Sequence, residues 1–599
     1  MLSAQPNIRI EPLNWWVGMR NPELQLMVYA KDIALSDVKI KHSGIELVKV
    51  NKVSNPNYLF LDIRIGKKAK AGKFDIVFTP TDGNAFTYTF ELLDRREDSA
   101  NRTGFTNADV LYLIMPDRFA NGDPANDNMP DYEDKLNRKD LFGRHGGDIK
   151  GIIDHLDYIT DLGVTTLWLN PVLENRQPKA SYHGYAITDF YKVDPRHGSN
   201  ELYREMVQKA HEKGLKVIMD MVFNHCGDKH WWISDLPSDD WLNQWQEFTR
   251  SNYKATTHSD PHASSYDHRK MSRGWFDNTM PDLNQDNPFL ARYLIQNSIW
   301  WTEYADLDGI RMDTHPYPEK GFMSRWAKEV MTEYPNYNIV AEAWFNITPL
   351  CAYWQKGVPN SDGYDSNVPT VMDFPLMFAL NEAFDVTQTW DKGLIQLYDI
   401  LALDYLYQNS DNILVFADNH DLSRFNRKED KTTNRYKMIM SFLMTTRGIP
   451  QIYYGTELMM TGLKSDGDGA LRRDFPGGWK GDVRSAFDKK GRSEKENDVW
   501  NFTQKLLQWR RTSVAVQKGK LMHFIPEDNF YVYFRYTETQ RVMVILNNNN
   551  TSKNLKTDRF EEMLKGYTKG TEILTGKVLE KLDVLTLTPR SAMIIELSQ

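Results

Sequence analysis

The sequence predicts a (β/α)₈ barrel that carries an inserted subdomain after its third strand and is flanked by an N-terminal and a C-terminal β-sandwich. Three observations lead to this prediction. Apolar strand-like segments alternate with helical segments through the middle of the chain, one stretch between two of these strands is too long for a loop, and both ends are rich in short strands. A chain of 599 residues also needs more than one hydrophobic core.

Residues 1–100 are predicted to form the N-terminal β-sandwich. Short runs rich in Val, Ile, Phe and Tyr are separated by turn signals such as Asn55-Pro56-Asn57. The predicted strands are 24–30, 58–65, 74–79 and 86–92. A polar segment at 94–99 reads as the linker to the next domain.

Residues 101–511 are predicted to form the barrel, with predicted helices at 152–162 and 200–213, the second ending at Gly214. The predicted barrel strands are 110–115, 165–170, 216–222, 309–313, 338–342, 370–373, 413–417 and 450–454. Residues 225–307 are expected to be the inserted subdomain, with a cluster of its own formed by Trp231, Trp232, Trp241, Trp245 and Trp275. Residues 512–599, with strands at 531–536, 542–547 and 592–597, are predicted to form the C-terminal β-sandwich.

Composition excludes several classes of partner. The net charge of -8 argues against nucleic acid, and no run of 18 apolar residues predicts a membrane span. The two cysteines cannot form a framework of disulfides. Aromatic residues make up 12% of the chain, which suits sugar-stacking surfaces and large cores equally. The first residues do not resemble a signal peptide, so the compartment is not readable from the residues themselves.

Four predicted barrel strands end in unusual polar groups. The third ends near Asp220 and His225, the fourth in Arg311-Met312-Asp313, the fifth in Glu342, and the seventh in His420-Asp421. Charged groups at the rim of an apolar barrel need a partner or a task. A single such end is explained by a structural ion pair, but the strand ends of a barrel meet on one face, where catalytic groups gather. The set therefore predicts an active site.

The three acids suit cleavage of a glycosidic bond, which needs two carboxyl groups. Arg311 beside Asp313 is expected to keep that carboxylate ionised, as a nucleophile requires. Glu342 has apolar neighbours that should raise its pKa, which suits a general acid and base. Asp421 is expected to bind sugar hydroxyls and stabilise positive charge at the ring. Two neutral histidines are expected to recognise hydroxyls: His225 and His420.

These strand ends resemble the signature regions of the α-amylase family, glycoside hydrolase family 13, over roughly residues 105–500. The resemblance implies a retaining mechanism with a covalent glycosyl-enzyme on Asp313, oriented by Arg311, which Asp220 supports. It also implies further substrate contacts. The segment Tyr182-His183-Gly184-Tyr185 resembles the family's stacking motif, which makes His183 and Tyr185 expected sugar contacts. Trp344 resembles the aromatic residue that lies beside the acid in this family. Asp468 and Arg472, in a later loop, resemble the contacts to the donor-side sugars.

The subgroup is suggested by the segment 12–19, which resembles the N-terminal domain of cyclomaltodextrinases and neopullulanases, particularly those of Gram-negative starch-utilisation systems. That implies cleavage of α-1,4 bonds in cyclodextrins, pullulan, maltooligosaccharides or starch. However, Asp282 stands where the group usually has Lys, and Asp is typical of oligo-1,6-glucosidases. Pro316 and Tyr317 also replace the Lys and His of many α-amylases. An oligo-1,6-glucosidase, an α-glucan transglycosylase and a non-catalytic glucan-binding homologue therefore remain alternatives, the last disfavoured by the three acids.

A structural calcium site is predicted where 121–127 concentrates oxygen-bearing side chains. Resemblance to the neopullulanase group adds two positions from a later loop, so the expected ligands are Asn121, Asp123, Asn126, Asp127, Gly146 and Asp148. The same resemblance makes a homodimer an expectation. It also suggests a periplasmic location after removal of a signal peptide, with the cytoplasm as the alternative.

Overall fold

The computed structural model describes residues 7–81, 83–427 and 432–599. Two antiparallel-dominated sheets, ordered β1-β3-β6-β5 and β2-β8-β7-β4, form the N-terminal β-sandwich. Its strands are β1 (Arg9–Glu11), β2 (Trp15–Trp16), β3 (Glu23–Tyr29), β4 (Ser36–Ile40), β5 (Ile45–Lys52), β6 (Tyr58–Ile65), β7 (Gly72–Pro80) and β8 (Phe86–Leu93). In β6, buried Leu59, Leu61 and Ile63 belong to a strand whose two faces are both largely covered.

All eight predicted barrel strands are present and parallel. They are β9 (Leu111–Ile114), β10 (Thr166–Leu169), β13 (Lys216–Met221), β14 (Gly309–Met312), β15 (Ile339–Ala341), β16 (Thr370–Val371), β17 (Leu414–Phe416) and β18 (Ile449–Tyr453), with a hairpin of β11 (Leu173–Glu174) and β12 (Asp189–Val193) after the second. A parallel bridge between Met372 and Leu414 joins the two edges of the sheet. The sheet is thus closed into a barrel, and its strand ends share one face.

The described helices are distributed over three parts of the chain: most follow the barrel strands, 265–273 lies in the inserted subdomain, and 561–564 lies in the C-terminal β-sandwich. They are α1 (Pro116–Phe119), α2 (Ile149–Asp154), α3 (Leu156–Leu162), α4 (Asn200–Glu212), α5 (Ser265–Arg273), α6 (Pro288–Ala305), α7 (Lys320–Glu333), α8 (Thr348–Ala352), α9 (Phe374–Ala383), α10 (Ile395–Ala402), α11 (Asn434–Thr445), α12 (Asp468–Leu471), α13 (Glu494–Arg510), α14 (Val514–Lys518) and α15 (Glu561–Leu564). Helix α4 follows the predicted pattern, because Ser199 caps its N-terminus and Gly214 follows its end with φ +74°.

Two predictions about the barrel need correction. The single helix predicted at 152–162 is two helices, α2 and α3, broken at His155, which adopts a non-helical conformation while Asp148 caps α2. The inserted subdomain also ends earlier than predicted. Helix α6 contacts α4 and α7, so it belongs to the ring of barrel helices, and the irregular insertion stops before Pro288.

The tryptophans of the insertion do not form a separate cluster. Trp231 packs against Tyr29 and Tyr58 of the N-terminal β-sandwich, and Trp241 packs against Phe60 of the same domain. These side chains belong to a hydrophobic core that the two domains share. Much of the aromatic content therefore serves packing rather than sugar binding, and the N-terminal β-sandwich is fixed to the barrel.

The C-terminal β-sandwich has a core of its own and follows α14. Its sheets are ordered β19-β20-β21-β26-β23-β24 and β22-β25. The strands are β19 (Lys520–His523), β20 (Phe530–Tyr536), β21 (Arg541–Asn547), β22 (Lys553–Lys556), β23 (Lys569–Glu572), β24 (Val578–Leu579), β25 (Val584–Leu587) and β26 (Ser591–Ser598). Across residues 7–81, 83–427 and 432–599, no helix has the length and apolar character needed to cross a bilayer.

Candidate active site

Arg311 is the centre of the charged groups at the barrel rim. Its side chain is fully buried, and its guanidinium contacts three carboxylates from three strand ends. It lies 2.9 Å from Asp220, 2.7 Å from Asp313 and 2.8 Å from Glu342. The sequence paired Arg311 with Asp313 and gave Glu342 an apolar setting. Burial does raise the pKa of Glu342, as predicted, but the setting is not purely apolar, because Glu342 also forms an ion pair with Arg311.

Thr314 connects the same two carboxylates from the other side. Its backbone N–H donates to Glu342 Oε2 at 2.8 Å, and its hydroxyl donates to Asp313 Oδ2 at 3.1 Å. Thr314 has a φ of 43°, a conformation that a β-branched residue rarely adopts and that is often found at active sites. Asp313 and Glu342 are therefore held as a pair by Arg311 on one side and by Thr314 on the other.

The pair is protonated more readily than ordinary carboxylic acids. Burial raises the pKa of Glu342 to about 7, and the neighbouring Asp313 carboxylate acts in the same direction. Burial likewise raises the pKa of Asp313 to about 7, although Arg311 opposes this. Arg311 therefore acts on the pKa of Asp313 in the expected direction, but burial outweighs it in the free site, where one guanidinium is shared among several buried carboxylates.

Asp421 has the opposite electrostatic environment. Its carboxylate lies 2.9 Å from His420 Nε2 and accepts a hydrogen bond of 2.7 Å from Arg472. Although burial acts to raise the pKa of Asp421, these partners hold it well below its usual range. Burial lowers the pKa of His420, although the Asp421 carboxylate opposes this. Asp421 is thus the one of the three acids that stays ionised at neutral pH.

Tyr185 extends this network to the second strand. Its hydroxyl lies 2.7 Å from His420 Nε2 and donates to Asp220 at 3.1 Å, and its ring stacks on His420 with centroids 5.4 Å apart. The Tyr185 N–H donates to His183 Nδ1 at 2.9 Å, and burial lowers the pKa of His183 to about 3. These contacts fix the ring of Tyr185 at the floor of the site.

The predicted residues surround one cleft of about 350 Å³. Its lining includes all three acids and six of the predicted substrate residues, namely Asp313, Glu342, Asp421, His183, Tyr185, His225, Trp344, Asp468 and Arg472. Arg311 and His420 lie behind this lining, fully buried. Trp344 is 42% exposed and stacks on Phe374, so it is a cleft residue rather than a core residue.

The structure adds cleft residues that the sequence did not single out as substrate contacts. They are Phe276, Met280, Thr314, Tyr317 and Lys464. The neighbouring Trp275-Phe276 pair was the one available signal for Phe276, whereas nothing in the residue type of Thr314 or Lys464 marks a site.

Comparison with known proteins agrees with this geometry. Residues 113–531 match the alpha amylase catalytic domain, residues 9–96 the cyclomaltodextrinase N-terminal domain, and residues 521–596 the cyclo-malto-dextrinase C-terminal domain. The chain belongs to the α-amylase family. The three matches together cover the barrel and both flanking domains.

Individual relatives of this α-amylase family member are moderately similar. The chain is 29% identical over 501 residues to a cyclomaltodextrinase from Thermoanaerobacter pseudethanolicus, covering 82% of this chain and 78% of the relative. It is 29% identical over 451 residues to neopullulanase 2 from Thermoactinomyces vulgaris, covering 73% and 69%. The crystal structure of an α-amylase from Geobacillus thermoleovorans complexed with acarbose superposes with a TM-score of 0.67 at 28% identity, covering 83% of this chain and all of that one.

Met280 and Asp282, the two residues that bear on linkage preference, differ in their position relative to the cleft of this α-amylase family member. Met280 lines the cleft, but Asp282 is buried and accepts a hydrogen bond of 2.8 Å from Asn243. His225 pairs with Asp282 in an isolated β-bridge and lines the cleft. Its Nε2 is buried and has no hydrogen-bond partner among the described residues. Asp282 therefore supports the wall that holds His225 and does not line the cleft.

The loop before and within α12 forms the wall beside Asp421. Asp468 lies 3.7 Å from Arg472, which itself binds Asp421, and Lys464 forms an ion pair with Asp468. The Lys464 N–H donates to Ser423 Oγ at 2.9 Å, which anchors the loop next to Asp421. Asp468 and Arg472 thus form a continuous charged wall with the third acid.

The predicted calcium ligands lie together after β9. Asp148 accepts hydrogen bonds from the N–H groups of Gly122, Asp123 and Gly151 and from the Asn126 amide. Asn121 donates to Asp127 at 2.7 Å. Asp123 is an exception, since its carboxylate caps its own turn by accepting from the N–H of Ala125.

Two observations test whether this loop fits a cation. The amide oxygens of Asn121 and Asn126 are buried and have no hydrogen-bond partner among the described residues. A Cβ on Gly146 would lie 2.3 Å from Asp127 Oδ1, so only glycine allows the backbone this close. No three Asp, Glu, His or Cys side chains group as metal ligands within the described chain, so amide and backbone oxygens would have to contribute. Such an all-oxygen set fits calcium.

Proposed function

We propose that the chain is a retaining α-glucan hydrolase that cleaves α-1,4 bonds in cyclodextrins, pullulan, maltooligosaccharides or starch. The observation that carries the proposal is the Asp313–Glu342 pair, which Arg311 and Thr314 hold inside one cleft. A retaining enzyme requires two carboxyl groups about 5–5.5 Å apart, close enough to act on one anomeric carbon.

In the first step, an oxygen of Asp313 attacks the anomeric carbon while Glu342 donates its proton to the departing glycosidic oxygen. The sugar–oxygen bond breaks, and a covalent glycosyl ester of Asp313 forms. In the second step, Glu342 takes a proton from water, and the resulting hydroxide equivalent displaces Asp313. The same Glu342 serves as acid and then as base, as microscopic reversibility demands.

The electrostatics of the free site support this division of roles. Burial raises the pKa of both carboxyl groups, and the Asp313 carboxylate further raises the pKa of Glu342, which favours a protonated Glu342 beside an ionised Asp313. Arg311 and Thr314 contact both carboxylates, so these contacts do not by themselves distinguish the two roles. The assignment of Asp313 as nucleophile and Glu342 as acid and base rests on the resemblance of their strand ends to those of the family.

Asp421 is proposed to bind sugar hydroxyls and to stabilise the positive charge that develops at the ring. Its ionised state, maintained by His420 and Arg472, supports this role. Tyr185 is proposed to stack under the reacting sugar, with His183 and His225 donating to hydroxyls. Trp344 is proposed to contact the leaving-group sugar, and Asp468 the donor side.

The substrate class is supported by the names of the relatives, which include cyclomaltodextrinases and a neopullulanase. An oligo-1,6-glucosidase or an α-glucan transglycosylase is the alternative. The buried position of Asp282 gives no reason to assign α-1,6 preference from that residue.

The products formed from different glucans distinguish the proposed α-1,4 hydrolase from the alternative functions. The wild-type enzyme is incubated with cyclodextrin, pullulan, soluble starch and isomaltose, with Asp313→Asn as the inactive control. Panose from pullulan supports the proposed function, whereas cleavage of isomaltose without attack on pullulan supports the alternative. Proton NMR at early times should show new α-anomers from α-linked substrate. First-formed β-anomers would contradict the retaining mechanism.

We also propose that Ca²⁺ binds the loop after β9 through Asn121, Asn126, Asp127, Asp148 and backbone oxygens at Asp123 and Gly146. Burial raises the pKa of Asp127 to about 6, with Asp148 adding repulsion, so a bound cation would relieve clustered negative charge. The role of the ion is structural, because this loop carries no group of the Asp313–Glu342 pair. Two finer proposals rest on resemblance: a homodimer, which analytical ultracentrifugation tests, and a periplasmic location, which cell fractionation tests.

A further inference from the structure

Three aromatic rings form a wall between the inserted subdomain and the end of β14. Phe276 and Tyr317 line the cleft, with ring centroids 5.9 Å apart. Tyr253 contacts both of them, at 5.5 Å from Phe276 and 6.2 Å from Tyr317. Tyr253 does not line the cleft itself, and its side chain is 40% exposed. The wall therefore continues from the cleft to the surface of the subdomain.

Tyr253 is held in place by more than ring contacts. Its backbone has a φ of 56°, a left-handed conformation that costs energy for a residue with a Cβ. Its N–H donates to Ser251 Oγ at 3.1 Å, and its hydroxyl donates to the Phe276 carbonyl at 2.5 Å. Packing alone would not require a residue with a strained backbone, two hydrogen bonds that fix it and an aromatic ring that remains partly exposed.

The position of Tyr317 shows which side of the cleft this wall occupies. The Tyr317 N–H donates to the carbonyl of Thr314 at 2.8 Å, and the Thr314 N–H donates to Glu342. Asp421, Arg472 and Asp468 form the other wall. Under the proposed function, Glu342 protonates the departing oxygen. The sugars of the leaving group therefore lie on the side of Tyr317 and Phe276.

We propose that Tyr253 is a specificity-determining residue that stacks on a glucose unit of the leaving group, beyond the first one. The inference rests on the proposed function and deepens it. An aromatic face offers a large, rigid contact area to the apolar face of a sugar ring, and the fixed backbone reduces the entropy lost on binding. The residue should therefore favour substrates that extend at least two glucose units past the bond cleaved.

The test compares two substrates in the full-length enzyme. Maltohexaose can extend along the wall, whereas p-nitrophenyl α-maltoside has a single small ring as its leaving group. Tyr253→Ala should lower kcat/KM for maltohexaose by about five- to tenfold, the scale of one aromatic stacking contact. It should change kcat/KM for the maltoside by less than about twofold. Tyr253→Phe keeps the ring and should retain most of the activity on maltohexaose.

Tyr266→Ala is the matched control, because Tyr266 is an exposed aromatic residue on α5 of the same subdomain that does not line this cleft. It should leave both substrates unaffected. Tyr253→Leu keeps an apolar contact with Phe276 without an aromatic face and replaces the alanine variant if that variant does not fold.

Two results would overturn the inference. An equal fall for both substrates would mean that Tyr253 only supports the wall, and unchanged kinetics for maltohexaose would place it outside the binding path. A wild-type enzyme that cleaves neither substrate would overturn the proposed function and this inference together. The two failures are therefore distinguishable from the wild-type data alone.

Discussion

Replacement of Glu342 by Gln tests the central pair most directly. An acid with a pKa of 4.5 is protonated in about 0.3% of molecules at pH 7, whereas an acid with a pKa of about 7 is protonated in about half. Burial therefore increases the population of the proton donor by about two orders of magnitude. The amide has no proton to transfer to the departing oxygen, although its oxygen can still accept a hydrogen bond from Arg311 or Thr314.

We expect Glu342→Gln to lower kcat/KM for maltohexaose by about 10²–10⁴-fold, the contribution of a general acid. A substrate with an activated leaving group, such as 2,4-dinitrophenyl α-maltoside, needs little protonation. It should still form the glycosyl-enzyme on Asp313, which then accumulates because water is no longer activated. Stopped-flow absorbance should show a burst of dinitrophenolate followed by slow turnover.

Azide provides the decisive readout, because it needs no general base. It should accelerate turnover of Glu342→Gln by attacking the glycosyl-enzyme and should release α-maltosyl azide. In the matched variant Asp313→Ala, azide would attack the substrate directly and give the β-azide. Near-normal cleavage of maltohexaose by Glu342→Gln, or a β-azide from it, would refute the assignment of Glu342 as acid and base.

Three further results are expected. The pKa of Glu342 rises from 4.5 to about 7 on folding, so its contribution to the free energy of unfolding is greatest below about pH 4.5 and is lost as the pH rises through 7. Because each pKa unit is worth 1.36 kcal/mol, the difference is on the order of 3 kcal/mol. Calorimetry should show Glu342→Gln gaining stability over wild type between pH 5.5 and 8, and an equal offset at both pH values would contradict this. A calcium chelator should lower the melting temperature of the wild type and have no effect on Asp127→Asn, whereas an unchanged wild-type curve would argue against the ion. Asp282→Asn should leave the ratio of maltotriose to isomaltotriose cleavage unchanged, because its side chain faces Asn243, and a changed ratio would restore it as a linkage determinant.

Most of the architecture could be predicted because the barrel repeats one physical pattern. Each buried strand is a short apolar run, and α4 has both a start and a stop signal, Ser199 and Gly214. The break at His155 and the early end of the insertion were missed for local reasons. Asp148 caps α2 within a loop that also contacts Gly122, and α6 is buried on nearly all sides, so its pattern has little amphipathic contrast.

The position of the candidate site could also be predicted, because polar side chains at the ends of parallel strands must meet on one face of a barrel. The electrostatics could not be predicted from neighbours in the sequence. Arg311 is two residues from Asp313 but equally close in space to Glu342, which comes from another strand. The φ of Thr314 and the stacking of Phe276 on His225 likewise depend on tertiary contacts. Adjacency in the sequence therefore identified these residues and the rise in the pKa of Glu342, but not the ion pair between Glu342 and Arg311.

The charges around Arg311 suggest why the free site is strained. The carboxyl groups of Asp220, Asp313 and Glu342 share one buried guanidinium, so their full ionisation would leave uncompensated negative charge in a region of low dielectric. Partial protonation of the Asp313–Glu342 pair limits that cost in the free enzyme. A glycosyl transition state brings positive charge to the anomeric carbon, where this excess of negative charge becomes favourable. The same arrangement that destabilises the folded protein at alkaline pH should therefore stabilise the transition state. Substitutions of the pair should accordingly increase stability at that pH while they slow turnover.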